Sequence, residues 1–361
     1  MDTILFESWR GRYADSPRAI SERLRETRDD LRHVWVVDRP DVRLPDGVDR
    51  VVRHSAAYFR HLVTARHLVT NDMISRHYVH GPRTTYLQTW HGTPLKRIGF
   101  DVPAARYAEA ATYRRRLARD VRAWDYLVSP NPYSTAVFRR AFRYDGPVLE
   151  TGYPRNDVLT GPGREAVRGR VRRELGVADG VRAVLYAPTW RDDARDAAGR
   201  PTLPPALDLA DLERRLPAGT VLLLRMHRLV ADRLPASAPG FARDVSDHPD
   251  IAELYLAADV LVTDYSSAMF DFAVTGRPMV FFAYDLEAYR DEVRGFYFDF
   301  TAEAPGPIVR HTAEVAEAIG DLTAVQADYG AAYRAFVAKF CALEDGKATD
   351  RVLDAVFPEP V

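Results

Sequence analysis

The stretch DVLVTDYSSAMFDFAVTGRPMVFFAYD (259–285) holds two short apolar runs, VLV and MVFF, with a segment of helical spacing between them. Short apolar runs that are bounded by polar or turn residues are typical of strands buried on both faces. Strands that alternate with helices pair in parallel, because the helix carries the chain back along the sheet. The stretch therefore predicts a β-α-β unit of a parallel α/β sheet.

The same pattern recurs along the chain and predicts two Rossmann-like domains. Further apolar runs of this kind occur at 34–38, 67–72, 84–93, 126–130, 147–154, 182–190 and 220–227. The segment TGPGREAVRGRVRREL (160–175) has a Gly/Pro opening and then a charged helix, which is typical of a domain boundary. We therefore predict one domain over 1–160 and a second over 165–335, each with its ligand at the carboxyl ends of its strands.

Composition restricts the class of protein. Hydrophobic residues make up 47% of the chain and charged residues 28%, which is typical of a folded globular protein. No stretch approaches the roughly 18 uncharged apolar residues that a membrane span needs, and the N-terminus lacks the pattern of a signal peptide. The single cysteine, Cys341, excludes an intrachain disulfide and fits a reducing compartment. We therefore expect a cytoplasmic protein.

Charge is distributed unevenly between the two halves. Residues 1–160 hold 27 Lys and Arg against 19 Asp and Glu, a net +8, and the remainder of the chain carries −9. A basic half predicts contact with an anion, although clustered arginines such as those at 114–122 also occur on ordinary solvated helix faces. No zinc spacing, RRM signature or helix-turn-helix pattern indicates nucleic acid, so we predict none as a partner. An anionic membrane surface or a polyanionic substrate stays open.

The motif WHGTPLK (90–96) places reactive side chains at a predicted strand end. His91 ends the strand, Gly92 permits close approach of the backbone to a ligand, and Thr93-Pro94 is typical of a helix N-cap and first turn. A helix that begins there would direct its amide groups at a phosphate beside His91. Lys96 is one of three lysines beside 47 arginines, which favours a functional ammonium, with chance as the rival explanation.

The strand ends of the second half carry side chains that suit phosphate. Arg225 and His227 end one strand two residues apart, so they lie on the same side of it and both can donate to phosphate oxygens. The other predicted substrate-binding residues of this half are Arg191, Thr263, Asp264, Ser266 and Ser267. No D-x-D motif, dinucleotide fingerprint or Walker A loop occurs, so we predict neither a metal site nor a cofactor.

These motifs resemble the CDP-glycerol:poly(glycerophosphate) glycerophosphotransferase family, and the resemblance covers almost the whole chain. One departure from the family pattern is Arg228, where the family often has proline, which puts the path of the loop after His227 in doubt. The stretches that carry the resemblance are FESWRGRYADSPRAI (6–20), YLQTWHGTPLKRIGFD (86–101), VLETGYPRNDVL (148–159), VLYAPTWRDD (184–193), residues 259–300 and FCALEDGKATDRVLDAVF (340–357).

The resemblance implies a GT-B-type fold and a metal-independent transfer reaction. Domain 1–160 would be the acceptor side, with a C-terminal helix over 336–361 crossing back to it, and domain 165–335 would bind the CDP donor across a cleft. The activity implied is transfer of glycerol phosphate from CDP-glycerol, or ribitol phosphate from CDP-ribitol, with release of CMP. The acceptor implied is a hydroxyl of a lipid-linked teichoic-acid or capsule-type polymer at the inner face of the cell membrane.

The resemblance also assigns roles to strand-end residues. His91 matches the position of the proposed catalytic base, and a histidine suits that role because its unperturbed pKa of about 6.5 lies near neutral pH. Positions 225, 227, 266 and 267 match those that hold the donor diphosphate. We group Lys96 with His91 as catalytic, and Gly92, Thr93, Arg191, Thr263 and Asp264 with the substrate-binding residues.

Two other functions stay open on the sequence alone. A GT-B glycosyltransferase that uses a UDP- or GDP-sugar would share the fold and a similar site. A scaffold that binds polyanions through its basic half is the non-enzymatic alternative, but it leaves His91 and Arg225 without a purpose. The sequence does not distinguish a glycerol from a ribitol donor, or a primase from a polymerase.

Overall fold

The computed structural model describes residues 1–74, 81–103, 110–189, 207–226, 240–293 and 295–358. The chain divides into two compact units. Unit 1 comprises Met1–Thr93, Ile98–Gly161 and Ala342–Val361, and unit 2 comprises Pro94–Arg97 and Pro162–Cys341. The chain therefore passes from one unit to the other four times.

Unit 1 is built on a parallel sheet with the strand order β3-β2-β1-β4-β5-β6-β7. The strands of this sheet are β1 (Asp2–Glu7), β2 (Leu31–Val37), β3 (Asp49–Val52), β4 (His67–Thr70), β5 (Thr85–Gln88), β6 (Tyr126–Ser129) and β7 (Val148–Glu150). The order reverses between β1 and β4, and ligands of open α/β sheets bind at the carboxyl ends of strands next to such a reversal.

Unit 2 repeats this topology in a second parallel sheet with the order β10-β9-β8-β11-β12-β13. Its strands are β8 (Arg182–Tyr186), β9 (Thr220–Leu224), β10 (Ala242–Asp244), β11 (Val260–Thr263), β12 (Met279–Phe282) and β13 (Ile308–Val309). The reversal lies between β8 and β11. The predicted α/β, GT-B-type class with two Rossmann-like units is confirmed.

Helices cover the sheets and begin where the sequence supplies caps. For example, the side chain of Asn131 accepts a hydrogen bond from the amide of Ser134 at 2.7 Å, with Pro132 at the first helical position. The helices are α1 (Asp15–Thr27), α2 (Ala56–Thr64), α3 (Ala110–Val121), α4 (Pro132–Phe142), α5 (Asp157–Thr160), α6 (Arg164–Glu174), α7 (Leu209–Arg215), α8 (Ile251–Ala257), α9 (Ala268–Ala273), α10 (Leu286–Ala288), α11 (Phe300–Glu303), α12 (Thr312–Gly320), α13 (Leu322–Phe340) and α14 (Ala348–Val356).

Every apolar run named from the sequence overlaps a strand, whereas four strands were not predicted. Three of these, β3, β10 and β13, lie at sheet edges, where one side of the strand pairs with no other strand among the described residues. They are short and carry few apolar residues, DRVV, ARD and IV, so no buried run marks them. The fourth, β1, has the apolar run Ile4–Phe6, but the run stands so close to the N-terminus that no preceding turn signal marks it.

The predicted helix at Thr93-Pro94 does not form. Residues 91–98 contain no helix, and the next element is a 3-10 turn at Gly99–Asp101. The reason is a tertiary pairing: the amide of Arg97 donates to the carbonyl of Gly295 at 3.1 Å, and the amide of Tyr297 donates to the carbonyl of Leu95 at 2.8 Å. These backbone groups are committed to an extended antiparallel contact, so local capping signals are overridden.

The C-terminal region is two helices rather than the single helix predicted over 336–361. Helix α13 ends at Phe340 in unit 2, and α14 begins at Ala348 in unit 1. Asp157 separates them by capping α14, because its carboxylate accepts hydrogen bonds from the amides of Ala348 at 2.9 Å and Thr349 at 2.8 Å.

A buried carboxyl group on α3 should make the stability of the protein dependent on pH. Asp120 accepts hydrogen bonds from Trp124 Nε1 at 3.0 Å and from the Tyr86 hydroxyl at 3.5 Å. Burial raises the pKa of Asp120 to about 7, because removal from water disfavours the charged form. The folded state therefore binds one proton more than the unfolded state between about pH 4 and pH 7, and stability falls as pH rises through that window.

Replacing this carboxyl with an amide should remove the pH effect. Relative to the wild type, Asp120→Asn should gain unfolding free energy as pH rises from about 4 to about 7. We expect this gain in unfolding free energy over the wild type to reach about 2 kcal/mol at pH 8. Its upper limit is about 4 kcal/mol, because each tenfold change in proton affinity is worth about 1.4 kcal/mol. Urea unfolding at several pH values measures this difference, and a constant difference across the range would contradict the assignment.

Candidate active site

His91 lies just beyond β5, at the carboxyl edge of the unit 1 sheet. Its ring is stacked on Trp90, with centroids 4.3 Å apart, and lies 4.8 Å from the ring of Trp9. Its Nδ1 is 2.5 Å from the backbone oxygen of Asn71. Because a carbonyl oxygen only accepts, Nδ1 carries the hydrogen in the neutral ring, and the lone pair lies on Nε2. This tautomer is the one that a general base needs.

Neighbouring strands fix the turn that carries His91. The backbone of Trp90 has a φ of 53°, an unfavourable value for a residue with a large side chain. Its amide donates to Gln88 Oε1 at 2.8 Å, and Gln88 Nε2 lies 3.3 Å from both Thr70 Oγ1 and the oxygen of Asp72. These bonds link the end of β5 to the end of β4, so the strained turn is held by the sheet itself.

The amide of Gly92 is committed within unit 1. It donates to the hydroxyl of Tyr153 at 3.2 Å, and the guanidinium of Arg155 lies 4.4 Å from the centre of the Tyr153 ring. Arg155 forms a buried ion pair with Asp15, with Nη1 3.2 Å from both carboxylate oxygens. Asp15 also accepts from Trp9 Nε1 at 2.9 Å. These contacts form a buried polar network from the backbone beside His91 back to the ring of Trp9.

The two other residues predicted beside His91 occupy different settings. Thr93 is buried at the end of the first unit 1 segment, and Lys96 belongs to the short segment of unit 2. Lys96 forms an antiparallel bridge with Phe296, and its Nζ lies 6.0 Å from the centre of the Tyr289 ring. The catalytic role of Lys96 stays a prediction.

In unit 2, Thr263 and Asp264 connect the two strands at the topological reversal. The hydroxyl of Thr263 donates to the oxygen of Ala187 at 2.6 Å, and Asp264 Oδ1 accepts from the amide of Thr189 at 2.8 Å. Both side chains are buried. They therefore set the shape of the strand ends of β8 and β11.

The serines and Arg225 also lie at strand ends of unit 2. Ser266 and Ser267 are half-buried at the start of α9, and Ser266 Oγ accepts from the amide of Ala268 at 3.3 Å. Arg225 follows β9, and its Nη1 donates to three backbone oxygens of the loop after β10, at 2.9 Å from those of Val245 and Ser246 and with a shorter contact to that of His248. Arg225 thus has a structural role in addition to its predicted one.

Two predicted substrate-binding residues, Arg191 and His227, lie outside the described residues. Within the part of the chain that the structure describes, no group of three or more His, Cys, Asp or Glu side chains is arranged to hold a metal ion. In the same part, none of the helices has the length and apolar character that crossing a membrane requires.

Four residues near His91 were not singled out from the sequence, namely Trp9, Asn71, Gln88 and Tyr153. Asn71 and Tyr153 stand next to the last residues of the runs 67–72 and 147–154, which were identified as strands, so the strand-end rule could have included them. Gln88 lies inside the run 84–93 and so carried no such signal, and Trp9 carried none because its contact with His91 joins segments about 80 residues apart in sequence.

Comparisons with known proteins identify the family. The family model described as CDP-Glycerol:Poly(glycerophosphate) glycerophosphotransferase matches residues 1–358. A teichoic acid glycerol-phosphate transferase of Staphylococcus aureus is 41% identical, over 98% of this chain and 92% of that protein. A teichoic acid poly(glycerol phosphate) polymerase of Bacillus subtilis is also 41% identical over 98% of this chain, which spans only 48% of that longer protein.

Solved structures show the same likeness. The wall teichoic acid polymerase TagF has a TM-score of 0.92 and 38% identity, with 98% of this chain and 88% of that chain covered. One TagF structure is of a histidine-to-asparagine variant soaked with CDPG. Relatives named for ribitol phosphate are less similar; a ribitol-phosphate primase of Bacillus spizizenii is 27% identical over 98% of this chain.

Proposed function

Because this chain belongs to the CDP-glycerol:poly(glycerophosphate) glycerophosphotransferase family, and is thus an alditol-phosphate transferase of teichoic-acid type, we propose that it uses His91 as the general base. The reaction transfers glycerol phosphate from CDP-glycerol to a hydroxyl of a teichoic-acid-type polymer. The observation that supports His91 most directly is the bond from Nδ1 to Asn71, which leaves the lone pair on Nε2.

The proposed chemical step is a displacement at phosphorus. Nε2 of His91 takes the proton of the acceptor hydroxyl while the hydroxyl oxygen bonds to the phosphorus that carries glycerol. The bond from that phosphorus to CMP breaks, and CMP leaves with the bonding electrons. His91 then returns the proton to solvent. The strained Trp90 turn and the Asn71 carbonyl keep the imidazole in one orientation, so no reorganisation is needed at the moment of proton transfer.

The direct test of the function is release of CMP by the purified protein. CDP-glycerol with a glycerol-phosphate oligomer as acceptor should give CMP and an acceptor longer by one unit, and CDP-ribitol should react less well. Glycerol is favoured because the relatives named for glycerol phosphate are 39–41% identical over at least 97% of the chain, against 27% for the ribitol primase. Turnover of UDP- or GDP-sugars instead would establish the glycosyltransferase alternative.

We place the donor on unit 2, at the strand ends of β8, β9 and β11. Ser266 and Ser267 precede α9, and half-buried hydroxyls beside backbone amides suit phosphate oxygens. Thr263 and Asp264 would act by shaping these strand ends rather than by touching the phosphates, since the Thr263 hydroxyl is bonded to the backbone oxygen of Ala187 and the Asp264 carboxylate to the amide of Thr189. Arg191 and His227 remain members of this proposed site.

Arg225→Ala should weaken binding of CDP-glycerol by about tenfold or more, because a charge-assisted hydrogen bond is worth about 1.5–3 kcal/mol. Isothermal titration with CDP-glycerol measures the effect. Arg277→Ala is the matched control, because its Nη1 also donates to three backbone oxygens, those of Tyr255, Leu256 and Ala258. Arg277 precedes β12, so it lies at the amino ends of the strands, whereas the proposed donor site lies at their carboxyl ends. Equal losses of affinity in both variants would reduce Arg225 to a structural role.

We place the anionic acceptor and the membrane surface on the outer face of α3. Arg115 and Arg119 of α3, and Arg122 in the turn directly after it, are exposed, and the spacing of four residues sets Arg115 and Arg119 on one helix face. Arg114, by contrast, donates to the oxygens of Phe100 and Val102. The exposed arginines would attract a lipid-linked polyphosphate at the inner face of the cell membrane.

Reversing the charge of these three arginines to glutamate should raise the KM of the acceptor, and added salt should raise it in the wild type. Both changes act on the same attraction, which salt screens over about 8–10 Å at physiological ionic strength. Initial rates at 50 and 300 mM salt measure the two KM values. The KM of CDP-glycerol should change less.

The matched control is the triple reversal of Arg173, Arg214 and Arg215, which are exposed arginines of unit 2. It changes net charge by the same amount. If it raises the acceptor KM as much as the α3 variant does, the effect reports net charge rather than a surface. In sedimentation with anionic vesicles, the α3 variant should bind the vesicles less than the control variant does.

A further inference from the structure

The chain between β1 and α1 forms a left-handed elbow, defined here as Trp9–Gly11. The φ angles of Trp9, Arg10 and Gly11 are 47°, 62° and 131°. Positive values are unfavourable for residues that carry a side chain. Glycine is required at the third position, because a Cβ atom there would lie 2.1 Å from the backbone nitrogen of Asp38. The fold therefore maintains an unfavourable backbone at this place.

Hydrogen bonds at both ends of Trp9 fix its orientation. Its backbone amide donates to Asn71 Oδ1 at 3.0 Å, and its indole Nε1 donates to Asp15 Oδ2 at 2.9 Å. Asn71 is positioned in turn by a bond from its Nδ2 to Ser8 Oγ at 3.1 Å. Asn71 is also the residue whose backbone carbonyl orients His91, so a single residue connects the elbow, through its side chain, to the base, through its backbone.

Trp9 is nevertheless exposed to solvent. It is 40% exposed, and only three other large hydrophobic residues among those described are comparably exposed. The indole ring lies 4.8 Å from the ring of His91. Core packing does not account for an indole that is held by buried polar partners and left open beside the base. An apolar surface in this place would contact the molecule that gives its proton to His91.

Arg10 adds a positive charge to the same elbow. Its side chain is 64% exposed, and its Nε donates to Asp72 Oδ2 at 3.1 Å. Asp72 directly follows Asn71, so this ion pair holds Arg10 near the residue that orients His91. A guanidinium group binds phosphate oxygens in a bidentate manner, which a single lysine ammonium does not.

We propose that the Trp9–Gly11 elbow is the subsite for the terminal unit of the acceptor polymer. The indole face of Trp9 packs against the carbon chain of the terminal glycerol. Arg10 binds the phosphodiester that joins this glycerol to the rest of the polymer. Together they present the terminal hydroxyl to Nε2 of His91. This inference rests on the proposed function and names the acceptor-recognition residues of the same site.

Two synthetic acceptors test the subsite. The first ends in glycerol phosphate units, and the second is a neutral alkyl ether that ends in the same glycerol without phosphate. Initial rates of CMP release give kcat and KM for each acceptor with Trp9→Ala, Trp9→Phe and Arg10→Gln. Titration with CDP-glycerol gives the donor Kd of each variant, and thermal unfolding confirms that each is folded.

The variants should separate the two contacts. Arg10→Gln should lower kcat/KM about tenfold or more for the phosphate-containing acceptor and leave that of the neutral acceptor unchanged, because only the former has a charge to lose. Trp9→Ala should raise KM several-fold for both acceptors, and Trp9→Phe should recover most of the loss because it retains an aromatic face. The donor Kd should stay at the wild-type value throughout.

Arg39→Gln is the matched control for Arg10. Arg39 follows β2 at the carboxyl edge of the unit 1 sheet, as Arg10 follows β1. Its side chain is 67% exposed, and its Nε lies 3.9 Å from Asp38 Oδ1. The subsite is wrong if Arg10→Gln lowers kcat/KM for the two acceptors equally, if Arg39→Gln has the same effect, or if Trp9→Ala acts through the donor Kd. A wild-type protein that releases no CMP with either acceptor would instead refute the proposed function.

Discussion

Replacing His91 with alanine should lower kcat by at least about a hundredfold while leaving the affinity for CDP-glycerol nearly unchanged. A positioned general base contributes typically 10²–10⁴-fold, and the described contacts of His91 are all within unit 1. His91→Asn should be as inactive, because an amide side chain can still donate to the Asn71 carbonyl but cannot accept the proton. Single-turnover rates and donor titration measure the two quantities separately.

The pH profile distinguishes a base from a cationic phosphate ligand at His91. A base must be neutral, so activity should fall as pH is lowered and the imidazole becomes protonated. A cationic ligand would lose activity as pH is raised. If His91→Ala weakens donor binding as much as it slows turnover, His91 belongs to the diphosphate site and the assignment as base is wrong.

The buried ion pair between Asp15 and Arg155 should be costly to break. Both side chains are about 5% exposed or less. Removing one partner leaves an uncompensated buried charge, so Asp15→Asn and Arg155→Met should each lower the unfolding free energy by about 3–5 kcal/mol. Asparagine is the appropriate replacement because the backbone of Asp15 has a φ of 65°, which asparagine tolerates. Urea unfolding measures both losses.

The double variant shows whether the two losses share a cause. Asp15→Asn with Arg155→Met should lose less than the two singles combined, because neither buried group is then left without its partner. Asp350→Asn is the surface control. It breaks a 2.7 Å ion pair between Asp350 of α14 and Arg23 of α1, whose side chains are 51% and 42% exposed. Its unfolding free energy should fall by at most about 1 kcal/mol. Additive losses in the double variant would show that the pair is not coupled.

The sequence predicts the central strands and the strand-end position of His91 well, because both depend on local patterns. Strands buried on both faces leave continuous apolar runs, and His91 stands where such a run ends. The partner of His91 is not predictable in this way. Asn71 meets His91 because β4 and β5 are neighbours, with Thr70 paired to Gln88, and nothing in either segment records that adjacency.

The wrong helix at Thr93-Pro94 has a related cause. A threonine before a proline is a real local signal for a helix start, but its energy is small beside a tertiary contact. The pairing of Leu95 and Arg97 with Gly295 and Tyr297 joins segments about 200 residues apart, and it determines the backbone of this segment. Local sequence signals therefore fail to predict the structure where pairing with a segment distant in sequence determines the backbone conformation.

The division of unit 1 among three separate segments affects how the protein is made. Val352 and Val356 of α14 complete the core around Ile4 and Ile20, and Asp157 caps that helix. During synthesis, the first 161 residues leave the ribosome long before α14 exists. The N-terminal unit therefore cannot close its core until all of the second unit has been translated. A chain that stops at Cys341 would lack Val352, Leu353, Val356 and Phe357 of the hydrophobic core beneath its own first strand.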